Sequence, residues 1–299
     1  GCYVDSAKAK GEVDDSVDLF ISNKDKEKLV ELVLNKLSQN GSYDTKMDDV
    51  DMESQQQNSS ETVSEETAHT YCIIPYVRGP LKSKSIDEIT AEVEKLSRQG
   101  YKEIVVTGIH LSSYGVDGKK SGAFLEKEGK PLLEALEAIN SVTGIERIRL
   151  GSLEPRIITD EFAKKLSEIS SICPHFHLSL QSGSDSVLKR MNRHYTSEQY
   201  LEGVKILEKY FENPAITTDI IVGFPMETED EFVETLKFVN EVRFAQIHVF
   251  KYSRRQGTAA DKMDGQIAES EKSARSERLI EKEKVLESEF RERALKNEE

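Results

Sequence analysis

The sequence predicts an α/β protein built on a partial (β/α)6 barrel, preceded by the tail of a small α/β domain. Three observations carry this. From Tyr71 onward, short β-rich apolar runs alternate with amphipathic helical patterns. The runs begin 30 to 43 residues apart, the length of one βα unit. Capping boxes mark several helix starts between them: Ser85 with Glu88, Thr196 with Gln199, and Thr228 with Glu231. Repeated βα units with right-handed crossovers give a parallel sheet. A segment of barrel is the first arrangement such units allow, and a doubly wound open sheet is the second.

The elements follow in order. Val17 to Ser22 reads as a short strand, and Asn23 caps a helix with Leu29, Val30, Leu32, Val33 and Leu37 on its apolar side. Residues 39–70 carry eight acids against one Lys, a charge of −7, with almost nothing to bury. Such a stretch cannot offset its ordering entropy and reads as a disordered linker. Strands are expected at 103–107, 146–150, 176–180, 216–222 and 246–250, with a sixth near Cys72. Residues 266–299 read as a charged helix whose narrow apolar stripe is Leu279, Leu286 and Phe290. The expected divisions are 1–38, 39–70, 71–265 and 266–299. The chain opens at Gly1-Cys2-Tyr3 without Met and closes in a charged helix, which predicts a fragment.

Composition removes several classes. The 299 residues carry 41 Lys plus Arg against 55 Asp plus Glu, a net charge of −14, with three cysteines. Three cysteines are too few for a disulfide scaffold. No run approaches the roughly 20 apolar residues of a membrane span. The expectation is a monomeric, cytoplasmic protein with no membrane partner. The acidity argues against nucleic acid binding over the whole surface but not against a local basic patch.

In parallel βα folds, ligands sit at the carboxyl ends of the strands. There the sequence places Thr107-Gly108-Ile109-His110, Gly151-Ser152-Leu153-Glu154-Pro155-Arg156 and Gln181-Ser182-Gly183-Ser184. The Gly223-Phe224-Pro225 and Tyr252-Ser253-Arg254 loops complete the set. Gly108 reads equally as a ligand-approach point or a tight turn, and Glu154 equally as a hydrogen-bond acceptor or a solvated loop acid. Lys189, Arg190 and Arg193 make a basic cluster in an acidic chain, and Lys82 and Lys84 lie in a second basic loop.

Tyr71-Cys72-Ile73-Ile74-Pro75-Tyr76-Val77-Arg78-Gly79 resembles the end of the cluster loop of the radical S-adenosylmethionine tRNA methylthiotransferases. The resemblance runs on through the 100–110, 149–155, 173–184, 191–193, 218–225 and 250–253 blocks, in order. Gly108-Ile109-His110 and Ser152-Leu153-Glu154-Pro155 are most similar to the branch acting on threonylcarbamoyladenosine beside the anticodon. This implies a barrel of the radical S-adenosylmethionine type. It also implies S-adenosylmethionine and two 4Fe–4S clusters as cofactors, and the tRNA anticodon loop as partner. Cys72 would be a ligand of the radical cluster, and Cys2 the last thiolate of the second. By the same resemblance, Tyr71 and Ile73 flank the cofactor, and Gly108 lies near its amino end. Glu154, Gln181, Ser182 and Arg193 contact it. Lys82, Lys84, Lys189 and Arg190 are the candidates for tRNA phosphates.

One departure is severe. The family spaces its thiolates C-x-x-x-C-x-x-C, whereas here His69 and Glu65 stand three and seven residues before Cys72. One thiolate is a poor set for a 4Fe–4S cluster, which takes soft anionic ligands. The resemblance therefore predicts a transferase homologue that is impaired as written. The alternative is a non-catalytic barrel that binds S-adenosylmethionine or tRNA. No RNA-binding module is expected after the last helix, where the family carries one.

Overall fold

The computed structural model describes residues 69–70, 83–108, 110–116, 125, 128–255 and 258–296. They belong to one compact unit, Ala68–Tyr71 with Lys82–Glu299. The strand and helix expected before residue 39, and most of the expected linker, lie outside the described residues.

Among the described residues, six strands occur in chain order: β1 (His69–Thr70), β2 (Glu103–Gly108), β3 (Arg147–Leu150), β4 (His175–His177), β5 (Ala215–Val222) and β6 (Gln246–Lys251). Every pairing is parallel, in two ladders ordered β1-β2-β3 and β4-β5-β6. Single bridges, Ile148 with Ile172 and Leu153 with Leu178, join the ladders. Their bonds include Cys173 N–H to the Ile148 carbonyl at 2.9 Å and Leu153 N–H to the His177 carbonyl at 2.8 Å. The spatial order thus follows the sequence order without the reversal of a doubly wound sheet. The fold is a partial barrel. Pairing begins at His69, inside the stretch expected to be linker.

The strand expected over 176–180 is His175–His177. Beyond it the chain pairs only through single bridges, Leu153 with Leu178 and Gln181 with Ile220, and Gln181 adopts φ 74°. Leu178 and Leu180 remain fixed from the side. The buried Thr218 hydroxyl donates to the Leu178 carbonyl at 2.6 Å and accepts from the Leu180 amide at 3.0 Å.

Among the described residues, seven helices cover the strands: α1 (Ile86–Arg98), α2 (Lys130–Asn140), α3 (Asp160–Ser167), α4 (Asp185–Arg190), α5 (Ser197–Tyr210), α6 (Glu229–Val242) and α7 (Glu269–Lys296). The three expected capping boxes are present at α1, α5 and α6. Each side-chain cap is worth about 1 kcal/mol, because it satisfies amides the helix cannot. Strand alternation sets the layers. Ile216, Thr218, Ile220 and Val222 of β5 are buried on the face toward the helices. Leu132, Leu136, Phe162, Leu166, Val204, Phe232 and Val239 of the helices are buried as well.

The last helix docks through charge as well as its stripe. Leu279 and Leu286 are buried, but so is Arg275. Arg275 Nη1 donates to Glu227 Oε2 at 2.7 Å and to the Glu227 carbonyl at 2.9 Å, and its other amine pairs with Glu271. Glu227 also accepts the Gly223 amide at 2.6 Å. Burial pushes the Glu227 carboxyl above the usual range, and the Gly223 amide and Arg275 pull it back. Removing one member of a buried pair strands the other charge, which costs about 3–5 kcal/mol. Arg275→Met is therefore expected to lower the unfolding free energy by that amount, read as a lower urea midpoint, and adding Glu227→Gln to recover part of it. An unchanged midpoint for Arg275→Met would refute the assignment.

Candidate active site

The carboxyl ends of β2, β3 and β4 bring the polar groups together. After β2, a 3-10 turn, Leu111–Ser113, holds His110 beside Ser113, with His110 Nδ1 and the Ser113 hydroxyl 2.7 Å apart. The neighbouring Ser112 hydroxyl accepts the Glu154 amide at 2.9 Å, tying the β2 loop to the β3 loop. Glu154 begins a second 3-10 turn, Pro155–Ile157, and caps it by accepting the Arg156 amide at 3.0 Å. Its other oxygen accepts Arg156 Nε at 2.6 Å. A Pro at the first helical position fixes this turn.

Tyr195 closes the cluster from the far side of α4. Its hydroxyl lies 2.6 Å from the Ser179 carbonyl and 3.0 Å from that of Leu180. Burial raises its pKa to about 12, so it stays neutral. The charges of Glu154, Arg156 and Arg193 act on both His110 and Tyr195, which puts the five groups in one locale. Burial holds the His110 imidazole below its ordinary range, more than the nearby Glu154 raises it. Arg193 is exposed and has no ion pair among the described residues. The locale thus offers an acceptor carboxylate, a neutral imidazole and an open guanidinium. That set suits a zwitterionic ligand with hydroxyls.

The other expected residues are distributed as follows. Gly108 ends β2, paired with Thr70. Gln181 is buried, and its backbone bridges to β5 by accepting the Ile221 amide at 2.9 Å. Ser182 is fully buried and turned to α6, its hydroxyl 3.2 Å from that of Thr235. The Gly183 amide donates to Thr235 at 3.1 Å, and a Cβ on Gly183 would sit 2.8 Å from the Phe238 Cβ. This turn is built against α6, with no room for a side chain at 183. Lys189 is exposed on α4. Arg190 is committed to Glu231 by two bonds, 2.9 and 2.6 Å. Lys84 pairs with Glu92 at 2.9 Å. His69 is described as backbone only. Cys2, Glu65, Tyr71, Cys72, Ile73 and Lys82 lie outside the described residues. Arg156 and Tyr195 were not foreseen as site residues. The signal for Arg156 was its place two residues after the strand-end acid.

The residues present fit one of the two implied groups. Arg193 and Glu154 suit the carboxylate and the amine or hydroxyls of S-adenosylmethionine. A three-thiolate set for a 4Fe–4S cluster is missing. Positions 65, 69 and 72 are Glu, His and Cys. Cys173 precedes β4 at the amino ends of the strands, away from the loops.

Residues 70–239 match the Radical SAM superfamily. The tRNA-2-methylthio-N(6)-dimethylallyladenosine synthase of Thermoanaerobacter sp. (strain X514) is 44% identical over 212 residues, covering 71% of this chain and 43% of its own. The enzyme of the same name from Clostridium botulinum (strain Hall) is 42% identical over 212 residues, 71% of this chain and 45% of its own. The chain thus spans less than half the length of these relatives. A radical S-adenosylmethionine methyltransferase structure from Kitasatospora setae, with cobalamin and a [4Fe-4S] cluster bound, aligns at TM-score 0.49 and 15% identity. It covers 62% of this chain and 37% of its own. Among the described residues, no helix is long and apolar enough to cross a membrane.

The lowered His110 pKa has a consequence for stability. The unfolded chain takes up the proton first, so stability is lost as pH falls from the ordinary imidazole pKa toward the lower folded value. His110→Gln is expected to lessen that loss between pH 7 and pH 5 in urea titrations. An unchanged pH dependence would show that His110 is not a half-buried neutral group at this site.

Proposed function

This chain belongs to the Radical SAM superfamily, and we propose that it is the barrel portion of a tRNA methylthiotransferase acting on an N6-modified adenosine. The observation that carries the reading is the identity of 42–44% over 212 residues to enzymes of that chemistry. The strand-end locale supports it. In this reading Glu154 and Arg193 hold S-adenosylmethionine, Gly108 lets backbone approach its amino end, and the Gln181 turn shapes the floor. Ser182 serves by fixing that turn on α6. Lys189 meets tRNA phosphate, with Lys82 and Lys84 on the same duty from the first loop. Arg190 orients α4 through Glu231.

The adenosine is the finer question. The 108–110 and 152–155 blocks favour threonylcarbamoyladenosine, whereas the relatives' names carry dimethylallyladenosine. Anticodon stem-loops bearing each base, bound in competition, separate the two. We take threonylcarbamoyladenosine as the expected winner, and preference for the dimethylallyl form would reverse that choice. Lys189→Ala is expected to reduce the slope of log affinity against log salt by about 1. An unchanged slope would remove Lys189 from the interface.

Radical cleavage of S-adenosylmethionine in this superfamily is supplied by a 4Fe–4S cluster, for which this chain's loop retains only Cys72. The chain is therefore expected to bind S-adenosylmethionine in calorimetry, about tenfold more weakly after Arg193→Ala, a change that corresponds to about 1.4 kcal/mol. It is expected to yield no 5′-deoxyadenosine after anaerobic iron–sulfur reconstitution. Glu65→Cys with His69→Cys restores the C-x-x-x-C-x-x-C spacing. That double variant is expected to gain both the cluster absorbance and 5′-deoxyadenosine formation. Product from the unaltered chain would overturn the thiolate argument. Failure to bind S-adenosylmethionine would overturn the site.

A further inference from the structure

A second constellation lies away from the strand-end locale, on the inner face of the barrel. Because alternate residues share a face, His177 of β4, Asp219 of β5 and His248 of β6 all project on the side away from the helices. The register fixes them: His177 lies opposite Thr217, and Asp219 opposite His248. One donor atom from each lies within 4.8 Å of the other two. The two imidazoles stack, with centroids 5.9 Å apart and planes 25° from parallel.

Three features separate this group from an ordinary ion pair. His177 Nε2 and Asp219 Oδ2 are 3.6 Å apart. That is too long for a charge-assisted hydrogen bond, which closes to about 2.7–2.9 Å. It suits two ligands of one ion, since metal bonds of about 2.0–2.1 Å set neighbouring donors about 3 Å or more apart. Next, His177 Nδ1 is engaged by the Thr217 hydroxyl at 3.0 Å, which leaves Nε2 for the centre of the group. Such an outer partner is the usual way a ligating imidazole is oriented. Finally, the nearby inner-face cations are neutralised. Arg147 and Arg149 both bond to Glu103, at 2.9 and 3.1 Å, leaving the Asp219 charge to the histidines.

We propose that His177, Asp219 and His248 form a binding site for a divalent first-row transition ion, zinc in the first instance, on the inner wall of the barrel. Two imidazoles and one carboxylate are a donor set for such ions, and three protein ligands leave coordination positions open. Those positions face the inside of the barrel, where a water or a substrate oxygen can take them. Three adjacent strands hold the ligands, so small side-chain rotations complete the geometry without backbone movement. The site needs no cysteine and is independent of the radical cluster and of the S-adenosylmethionine reading.

Cobalt titration of the full chain, freed of metal by chelator, tests this. The expected result is one cobalt per chain with the visible bands of nitrogen and oxygen ligation, no sulfur charge transfer, and displacement by zinc. His248→Gln removes an exposed side chain, so the fold should survive. It is expected to weaken cobalt binding at least tenfold, as are Asp219→Asn and His177→Gln. Thr217→Val should cost about tenfold by releasing His177. The proposal is overturned if no cobalt is taken up. It is equally overturned if the bound cobalt shows sulfur ligation, or if its affinity is unmoved by His248→Gln and Asp219→Asn.

Discussion

Arg275 enters the interior from the last helix and meets the Glu227 carboxylate there, each side chain 2% exposed. Two charges leave water at a cost that their attraction only partly offsets. What the pair provides is position. The same carboxylate holds the Gly223 amide at the end of β5 and stands just before α6, so a single group fixes a strand end, a helix start and the closing helix. Arg275 also lies over the Phe232 ring of α6, 5.7 Å from its centroid. Lys272, one turn earlier, donates to the Tyr252 carbonyl after β6 at 3.0 Å. Sliding α7 by one residue would strand both charges. The narrow Leu279 and Leu286 stripe could not by itself define the register.

That anchoring allows the inner face to be polar. The outer face of β4, β5 and β6 is packed by helices and carries the apolar burial. The opposite face holds Glu103, Arg147, Arg149, His175, His177, Asp219 and His248. A polar wall contributes little to the core, so its residues are free to be chosen for binding. The Glu103 bonds to Arg147 and Arg149 show the principle. Cross-strand pairs of this kind are worth about 0.2–1 kcal/mol. The arginines hold the Glu103 carboxyl below its ordinary pKa, and the pairing quenches their charge on the wall.

Local signals in the sequence located the barrel well. The capping boxes at Ser85, Thr196 and Thr228 mark helices that begin one residue later. The strand runs at 103, 146, 216 and 246 fall within a residue of β2, β3, β5 and β6. At the site, Glu154 and Arg193 were visible because polar residues directly after strands stand out. The rest depended on pairings across long sequence distance. Nothing near Arg190 announces Glu231, 41 residues away, and nothing near Ser182 announces Thr235. Both residues looked like ligand contacts, and both are bonded within the fold. The left-handed backbone of Gln181, four residues past the end of β4, has no signal in local composition. His177, Asp219 and His248 each look like isolated polar residues in a strand until the register aligns them.

Charge separates the chain into regions with different tasks. The net charge is −14, and the 39–70 stretch supplies half of it. At physiological ionic strength a charge is felt over roughly 8 Å. The net charge of the whole chain therefore does not by itself decide what a strand-end surface attracts. There, Arg193 and Lys189 stand exposed, Glu154 accepts from Arg156, and Asp185 accepts the Ser197 amide at 2.7 Å. The same division applies to chemistry. If Glu154 and Arg193 hold the ligand as proposed, binding rests on residues outside the 65–72 stretch, where Cys72 is the one cysteine at the family's thiolate positions. Binding and radical generation are then separable, because different stretches of the sequence carry them.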